Sequence, residues 1–347
     1  MNHGRPLKIG INGFGRIGRA IFRRLLQLNH IEAVIVNDTE KDLANLAYLL
    51  KFDSVYGRLP ESVIVKESTI SVGGRQDVFF YANNRIEDVP WENFEVDVVI
   101  EATGVESNIL GSHRLIEQNR VKKVIVTNAH HSVDQTIVMS VNESSYMPQL
   151  HNVVSSSICD ANAIAPVLYH LDAFAGIEHA TVTTLHPWLS YQNLLDGPVS
   201  SVSNPGHNWQ EYSLGRSSVG NLILKNTTAA EATLKVLPQL RGRLEAISFR
   251  VPTSNVSASD FSIVLGRTTS IDEIRQHLKK ISKAHGGVIA LNSESLVSGD
   301  FSGMNQSCVI DLTKMSLAQG KYLKLISWYD NEWAYSCRVL DVAELIA

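Results

Sequence analysis

The stretch "INGFGRIGRAIF", residues 11–22, decides the fold of the first half of the chain. It carries three glycines in G-x-G-x-x-G spacing: Gly13, Gly15 and Gly18. The run "LKIGING" is typical of a buried strand, and the apolar residues that recur every three or four positions after the turn predict a helix. A strand, glycine turn and helix in this order cradle a pyrophosphate, because the N–H groups at the helix start point at the phosphates.

An acidic residue at the end of the next strand supports a dinucleotide site. The run "IEAVIVND" ends at Asp38, about 20 positions after the turn, where a carboxylate accepts hydrogen bonds from the adenosine ribose. The charges of Asp38 and Glu40 disfavour a 2'-phosphate, so we expect NAD rather than NADP. A tight turn beside an unrelated aspartate is the alternative interpretation. The predicted NAD site comprises Asn12, Gly13, Phe14, Gly15, Arg16, Ile17, Gly18, Asp38, Thr103 and Gly104.

The two halves of the chain have different strand patterns. β-Branched apolar runs that alternate with helical patterns, such as "VDVVIEATG" and "KKVIVTN", indicate a parallel sheet covered by helices. In the second half, long alternating runs such as "EHATVTTLH" favour a largely antiparallel sheet. We therefore predict an α/β protein: a Rossmann-type NAD-binding domain at 1–158 plus a C-terminal helix at 332–347, and an α+β catalytic domain at 159–331.

Composition and charge exclude several classes of partner. The 347 residues are 44% hydrophobic and 19% charged, the balance of a globular protein with a substantial core. A formal net charge of -4 gives no general attraction to nucleic acid or to an anionic membrane, so neither is expected as a partner. No apolar run reaches the roughly 18 residues of a membrane span, and no apolar signal core begins the sequence. We expect a cytoplasmic protein.

The three cysteines do not form a disulfide framework. Cys159, Cys308 and Cys337 are too scattered for one, and no C-x-x-C or H-E-x-x-H motif predicts a metal site. Cys308 and Cys337 lie in strand-like runs, which favours burial as small apolar residues. Cys159 lies between a strand and a helix start, where the helix dipole lowers the pKa of a thiol. It is the candidate nucleophile, and an inert core thiol is the alternative.

A histidine at the end of a strand is the candidate base for this thiol. His186 ends the run "TVTTLH", which places it at a sheet edge. A histidine beside a thiol accepts its proton and donates to a carbonyl oxygen as charge develops there. Periodicity does not single out His186 among the 12 histidines, and a solvated strand-end histidine is the alternative.

Six segments together resemble the glyceraldehyde-3-phosphate dehydrogenase family. They are "KIGINGFGRIGR", "VIEATGV", the stretch from Cys159 to Asn162, "TVTTLH", "FRVPTSNVS" and "SWYDNEWAYSCRV", and they keep a consistent order along nearly the whole chain. The resemblance implies that Cys159 is the nucleophile, that His186 is its base, and that Asn331 orients the nicotinamide with Tyr335 beside it. It also implies a homotetramer.

The resemblance further implies the reaction. In that family a hemithioacetal on the cysteine gives a hydride to NAD, and inorganic phosphate then releases the thioester as an acyl phosphate. The expected function is therefore NAD-dependent oxidation of an aldehyde, glyceraldehyde 3-phosphate, with inorganic phosphate as the acyl acceptor. Two alternatives stay open: a dehydrogenase of another sugar-phosphate aldehyde with weak phosphate dependence, and a non-catalytic NAD-binding regulatory homologue.

The phosphate-binding positions depart from the family pattern. The family's S-C-T-T-N is here residues 158–162, with Ile158 and Asp160 in place of hydroxyl-bearing residues. Further departures, where two threonines and an arginine are expected, are Leu189, Tyr191 and Leu214. The predicted substrate site comprises Ile158, Asp160, Thr227 and Arg250, of which the last two match the family.

Asp160 has two alternative orientations. Two like charges about 4 Å apart repel by roughly 1 kcal/mol in water. A carboxylate that faces Cys159 would therefore disfavour bound phosphate and raise the pKa of the thiol. An aspartate in the first turn of a helix is equally expected to turn outward. In the first case we expect the substrate or the acyl acceptor to differ from the family norm.

Overall fold

The N-terminal unit of the computed structural model is built on a large sheet. The structure describes residues 5–347, and this unit comprises residues 5–137, 144–157 and 339–347. Its strands are β1 (Leu7–Asn12), β2 (Ile31–Asn37), β3 (Phe52–Asp53), β4 (Gly57–Arg58), β5 (Val63–Val65), β6 (Thr69–Val72), β7 (Val78–Tyr81), β8 (Val98–Glu101), β9 (Lys123–Val126), β10 (Gln135–Thr136) and β11 (Val153–Ser155). Its helices are α1 (Arg16–Leu25), α2 (Leu43–Lys51) and α3 (Glu106–Glu117).

Most of this sheet is parallel. The strand order is β10-β11-β9-β8-β1-β2-β7-β6-β5, and β3 pairs separately with β4. Strands from β10 to β7 pair in parallel, whereas β6 pairs antiparallel with β7 and with β5. Ile9 and Ile11 of β1 are fully buried, as expected for a parallel strand with both faces covered. The predicted Rossmann-type sheet is confirmed.

The second unit, residues 138–143 and 158–338, is built on a mixed sheet. Its strands are β12 (Ile177–Pro187), β13 (Ile223–Lys225), β14 (Leu244–Val251), β15 (Ser257–Leu265), β16 (Ile289–Asn292), β17 (Cys308–Ala318) and β18 (Tyr322–Tyr329). Its helices are α4 (Cys159–Ala175), α5 (Ala229–Val236) and α6 (Ile271–Ala284), and α7 (Trp333–Ile346) begins in it.

The sheet of the second unit is largely antiparallel, as predicted. Its strand order is β13-β14-β12-β15-β18-β17-β16. β12 with β14 and β16 with β17 are parallel pairs, and the other neighbours pair antiparallel. Short 3-10 helices in the whole chain lie at Ile86–Asp88, Trp91–Phe94, Glu143–Ser145, Tyr212–Gly215, Pro238–Leu240 and Ser298–Phe301.

An apolar core in the second unit fixes the elements that carry the candidate nucleophile and base. Ile164 and Leu168 of α4 pack in one buried cluster with Phe261 of β15, next to β12. Burial of a side chain of this size stabilises a fold by about 1.5 to 3 kcal/mol. This packing holds the start of α4, with Cys159, and the end of β12, with His186.

Helix starts in the second unit follow local capping chemistry. In "SIDE", Ser270 Oγ accepts the N–H of Glu273 at 3.2 Å, and the Glu273 carboxylate accepts the N–H of Ser270 at 3.0 Å, which is the capping box of α6. Asp330 Oδ1 accepts the N–H of Trp333 at 2.8 Å and so fixes the turn between β18 and α7. That turn carries Asn331.

The boundaries of the two units differ slightly from the predicted ones. Residues 138–143 group with the second unit because Val138 lies in its hydrophobic core. Ile158 also groups with the second unit, because it is the N-cap of α4. The predicted N-terminal domain starts at residue 1, and residues 1–4 lie outside the described residues.

The C-terminal helix divides between the units at residue 339 rather than at 332. Its first turns bond within the second unit, where Trp333 Nε1 donates to Asn305 Oδ1 at 2.8 Å. Cys308 is buried in β17 as expected, whereas Cys337 is buried in α7 rather than in a strand. Among residues 5–347, each helix is too short or too polar to cross a membrane.

Candidate active site

The glycine turn between β1 and α1 admits only glycine at Gly13 and Gly18. A Cβ on Gly13, whose φ is +97°, would lie 2.8 Å from the backbone of Ala102, and one on Gly18 would lie 2.0 Å from the carbonyl oxygen of Gly13. Gly15 faces open space, and α1 begins after it at Arg16 with no cap from any side chain of residues 5–347. The start of α1 has backbone N–H groups without a side-chain cap and open space beside Gly15, which suits a pyrophosphate. These residues therefore fit NAD.

Asp38 and a buried ring hold the turn in place. Asp38 Oδ2 accepts the N–H of Phe14 at 2.5 Å, and Oδ1 accepts the N–H of Glu40 at 3.0 Å. The ring of Phe14 packs edge-to-face on Phe22 and Phe80, with centroids 5.6 and 5.2 Å away. Asp38 is partly exposed, and its contact with a ribose stays a prediction.

The first turn of α1 contains Arg16 and Ile17. The Arg16 guanidinium forms an ion pair with Asp53, with Nη1 and Oδ2 2.5 Å apart. The side chain of Arg16 is thus directed at another carboxylate. A contact of this turn with a phosphate is therefore expected through its backbone.

A buried carboxyl group that the sequence analysis missed lies beside the turn. Glu101, at the end of β8, accepts the side-chain N–H of Asn12 and both the backbone N–H, at 2.8 Å, and the hydroxyl of Thr103. Burial outweighs these bonds and raises the pKa of Glu101 to about 7. Gly104 follows with a φ of +70°. The available signal was a charged residue at the end of the apolar run "VDVVIE".

In the second unit, Cys159 is the first residue of α4 and is half-buried. Ile158 is its extended N-cap, and the carbonyl oxygen of Ile158 accepts the N–H of Asn162 at 3.1 Å. The Cys159 Sγ lies 3.7 Å from His186 Nε2 and 3.7 Å from Asp160 Oδ1. The structure thus brings the candidate nucleophile and base together.

The hydrogen bonds of His186 fix its tautomer. Nδ1 lies 2.8 Å from the carbonyl oxygen of Pro187, so Nδ1 carries the proton and Nε2 presents a lone pair to the sulfur. Burial, with added repulsion from the Arg250 cation, lowers the pKa of His186 to about 4. The ring is therefore neutral at neutral pH and can accept a proton.

Asp160 faces inward, toward Cys159. Its side chain is 8% exposed, and Oδ1 accepts the hydroxyl of Tyr329 at 2.6 Å, which excludes the outward orientation. Burial first and the Asp160 carboxylate second raise the pKa of Cys159 well above its ordinary value, against the attraction of Arg250. The backbone N–H of Asp160 at the helix start lowers the pKa as predicted, but burial and the carboxylate outweigh it, so the predicted net lowering is wrong. A neutral thiol faces a neutral imidazole.

Arg250 and Lys225 bring positive charge to the site. Arg250 lies opposite His186 in the β12–β14 pair and is buried. Its Nη2 donates to Tyr191 Oη at 3.4 Å, and its Nε has no partner among residues 5–347. Lys225 ends β13 and was missed by the sequence analysis. Burial lowers the pKa of Lys225, and its charge acts on Asp160 and His186.

Of the remaining substrate positions, Thr227 keeps a hydroxyl hydrogen that can be donated to an anion, whereas Leu214 offers none. Thr227 Oγ1 accepts the N–H of Ala229 at 3.1 Å, at the start of α5. Leu214 is fully buried in a small apolar cluster. The nearby Arg216 pairs instead with the exposed Asp196, with Nε and Oδ2 2.8 Å apart. The hydroxyl and guanidinium groups expected from the family are therefore not restored by neighbours.

Asn331 and Tyr335 are both buried near the start of α7. Asn331 Oδ1 accepts the hydroxyl of Ser257 at 3.5 Å. Asn331 follows Asp330 in the capping turn, so its position is set by the end of β18. The roles of Asn331 and Tyr335 toward a nicotinamide stay predictions.

Comparisons with known proteins agree with the two units. Residues 7–109 match the family model described as the glyceraldehyde 3-phosphate dehydrogenase NAD binding domain, and residues 158–331 match the model of its C-terminal domain. Glyceraldehyde-3-phosphate dehydrogenase 2 of Streptomyces avermitilis and glyceraldehyde-3-phosphate dehydrogenase of Geobacillus stearothermophilus are each 37% identical over 342 residues, 98% of either chain. The cytosolic glyceraldehyde-3-phosphate dehydrogenase of Gracilaria gracilis is 35% identical over 348 residues, again 98% of either chain.

Replacement of Asp160 by asparagine is expected to make Cys159 more reactive. Asparagine keeps the shape of the side chain but removes a charge 3.7 Å from the sulfur, whose repulsion of a thiolate is about 1 to 4 kcal/mol at dielectric constants from water to a protein surface. The alkylation profile with iodoacetamide should shift to lower pH, and the rate at pH 7 should rise about fivefold or more. Asp172→Asn, on the same helix, is the control, and an unchanged Asp160→Asn profile contradicts the prediction.

The ionisation of Glu101 is expected to make the fold less stable as pH rises. Its pKa is raised from 4.5 to about 7, so the carboxyl group is protonated in both folded and unfolded chains below pH 4.5 and charged in both above 7. The buried charge then costs about 3 kcal/mol. Relative to Glu101→Gln, the wild-type free energy of unfolding in urea should fall by that amount between pH 4.5 and 8. Glu117→Gln, at an exposed position, is the control, and its free energy of unfolding should differ from that of the wild type by the same amount at every pH. A difference for Glu101→Gln that does not change with pH would contradict the prediction.

Proposed function

Because the chain belongs to the glyceraldehyde-3-phosphate dehydrogenase family of NAD-dependent oxidoreductases, we propose that it oxidises glyceraldehyde 3-phosphate through a thioester on Cys159. The observation that carries the proposal is the 3.7 Å contact between Cys159 Sγ and the unprotonated Nε2 of His186. A thiol and a neutral imidazole in contact generate a nucleophile only when the substrate arrives.

His186 moves protons in each step of the proposed reaction. As Sγ bonds to the aldehyde carbon, Nε2 takes the thiol proton and passes it to the carbonyl oxygen, which gives a hemithioacetal. When the hydride leaves that carbon, Nε2 takes the hydroxyl proton and the thioester forms. The glycine turn and Asp38 are proposed to hold NAD, which when bound supplies the hydride acceptor.

Two cations are proposed to hold the phosphate group of the substrate. Arg250 is buried and its Nε has no partner among the described residues, and Lys225 lies near enough for its charge to act on Asp160. An anionic group between them gains charge-assisted hydrogen bonds. In the final step of this proposal a phosphate oxygen bonds to the thioester carbon, the bond from that carbon to Sγ breaks, and the sulfur takes the proton back from Nε2, which releases an acyl phosphate and restores the thiol.

A second candidate function is favoured by Asp160. Its buried carboxylate lies 3.7 Å from the sulfur, where it repels an incoming phosphate dianion, and Ile158 offers that phosphate no hydroxyl group. In this alternative the thioester passes to water or another acceptor, and the aldehyde is a different sugar phosphate. A non-catalytic NAD-binding homologue is the third interpretation, and it applies if NAD binds but no aldehyde yields NADH.

The nucleophile and base assignments predict specific losses of activity. With glyceraldehyde 3-phosphate and phosphate, Cys159→Ser should form no measurable NADH, and His186→Asn should lower kcat by about 10²- to 10⁴-fold. Both variants should still bind NAD, which quenching of tryptophan fluorescence measures and which shows that they fold. Cys337→Ser is the matched control and should keep wild-type activity. Retained activity in Cys159→Ser would overturn the proposal.

Phosphate dependence separates the two candidate functions. In Asp160→Thr, the phosphate concentration that gives half-maximal NADH formation should fall about tenfold or more, because a repulsive charge is lost and a hydroxyl donor is gained. Asp160→Asn separates the effect of charge from that of the hydroxyl, and equal concentrations of sulfate control for ionic strength. A steep phosphate requirement in the wild type favours phosphorolysis. NADH formation without phosphate favours the second candidate.

A further inference from the structure

Three different metal-binding side chains meet at the start of α4. The sulfur of Cys159, a carboxylate oxygen of Asp160 and a ring nitrogen of His186 all lie within 4.8 Å of one another. The sulfur lies 3.7 Å from the other two donors. The sequence showed no metal motif, because two of the donors are adjacent on α4 whereas the third comes from β12.

These separations fit the edges of a zinc coordination tetrahedron. With Zn–S bonds of about 2.3 Å and Zn–N or Zn–O bonds of about 2.0 to 2.2 Å, neighbouring sulfur and nitrogen or oxygen ligands lie roughly 3.5 Å apart. The two separations that involve the sulfur, 3.7 Å each, are within a few tenths of an ångström of this value, and the nitrogen and the oxygen lie within 4.8 Å of each other. Cys159 is only partly buried, so the proposed site leaves the fourth position of the tetrahedron to a ligand such as water.

Hydrogen bonds already orient two of the donors. The Nδ1–H of His186 donates to the carbonyl oxygen of Pro187 at 2.8 Å, which turns the Nε2 lone pair toward the sulfur. Tyr329 donates to Asp160 Oδ1 at 2.6 Å. Partners of this kind, behind the metal ligands, fix ring tautomer and carboxylate orientation in metal sites.

The charges also fit a divalent cation. A thiolate and a carboxylate together neutralise Zn²⁺, while the nearby cations Arg250 and Lys225 oppose its entry. Sulfur, nitrogen and oxygen in one site are the donor types that zinc accepts, and magnesium or calcium do not accept thiolate. The donor set therefore favours zinc over the hard divalent cations.

We propose that Cys159, Asp160 and His186 form a Zn²⁺-binding site. On binding, the Cys159 S–H bond breaks, its proton passes to solvent, and a Zn–S bond forms, with no change of oxidation state. Asp160 stands where the family pattern has threonine, so the third ligand is a feature of this chain. That the bound metal also blocks catalysis rests on the proposed function, because Cys159 is the proposed nucleophile.

Cobalt and zinc binding to the full chain test the site without any substrate. Addition of CoCl2 should give a thiolate-to-cobalt charge-transfer band in the near ultraviolet, with about one metal per chain by equilibrium dialysis. ZnCl2 should displace the cobalt, protect Cys159 from iodoacetamide, and be removed by EDTA. Cys159→Ser should lose the band, and Cys337→Ser should keep it. A band that persists in Cys159→Ser, or no protection by Zn²⁺, overturns the proposal.

Substitution of Asp160 shows whether its carboxylate binds the metal or only lies beside it, because the two cases change zinc affinity in opposite directions. If Asp160 binds the metal, Asp160→Ala weakens zinc binding about tenfold or more in competition with a chelator. If Asp160 only repels the thiolate, its removal makes the thiolate easier to form and zinc binds equally well or more tightly. Equal or tighter binding in both Asp160→Ala and Asp160→Asn overturns the assignment.

Failure of this proposal is distinguishable from failure of the proposed function. If the chain binds metal but forms no NADH with an aldehyde, the zinc-site proposal is supported and the dehydrogenase proposal is overturned. If NADH forms, Zn²⁺ does not inhibit its formation and cobalt does not bind, the dehydrogenase proposal is supported and the zinc-site proposal is overturned.

Discussion

The carboxylate of Asp160, buried against the sulfur of Cys159, is the interaction on which the chemistry of this site depends. Burial first and this carboxylate second raise the pKa of the thiol, which favours the neutral sulfur before a substrate binds. His186, with its low pKa and its fixed tautomer, cannot supply a permanent positive partner either. In the reaction proposed above, the nucleophile therefore forms only when an electrophile arrives and the proton leaves sulfur through Nε2.

The end of β18 holds this arrangement through three consecutive residues. Tyr329 donates to Asp160 from inside the unit, Asp330 caps α7, and Asn331 accepts the hydroxyl of Ser257. Tyr329 is the last residue of β18, and Asp330 and Asn331 lie in the turn before α7. The register that pairs Tyr329 with Ser257 of β15 therefore sets the site, because a shift of one residue would turn Tyr329 to the opposite face of the sheet.

Local sequence patterns were sufficient for the NAD-binding half of the fold and for the candidate thiol and imidazole. The glycine spacing, the strand before it and Asp38 depend on interactions between near neighbours in sequence, which a single sequence displays. Lys225 and Tyr329 were missed because their places depend on strand register and on burial, neither of which has a sequence period. For the same reason the orientation of Asp160 stayed open. The homotetramer stays a prediction from resemblance, and the cytoplasmic location stays a prediction from the sequence.

The negative charge of Asp160 explains how several departures of this chain from the family pattern are connected. A carboxylate next to the nucleophile repels an anionic acyl acceptor and a thiolate alike, and it attracts a divalent cation. Arg250 and Lys225 partly offset that charge, and the proposed binding of the substrate's phosphate group depends on these two cations. The loss of a hydroxyl donor at Ile158 and the gain of a carboxylate at Asp160 therefore act in the same direction. Both make the surroundings of the sulfur less favourable for anions, and the carboxylate makes them more favourable for cations.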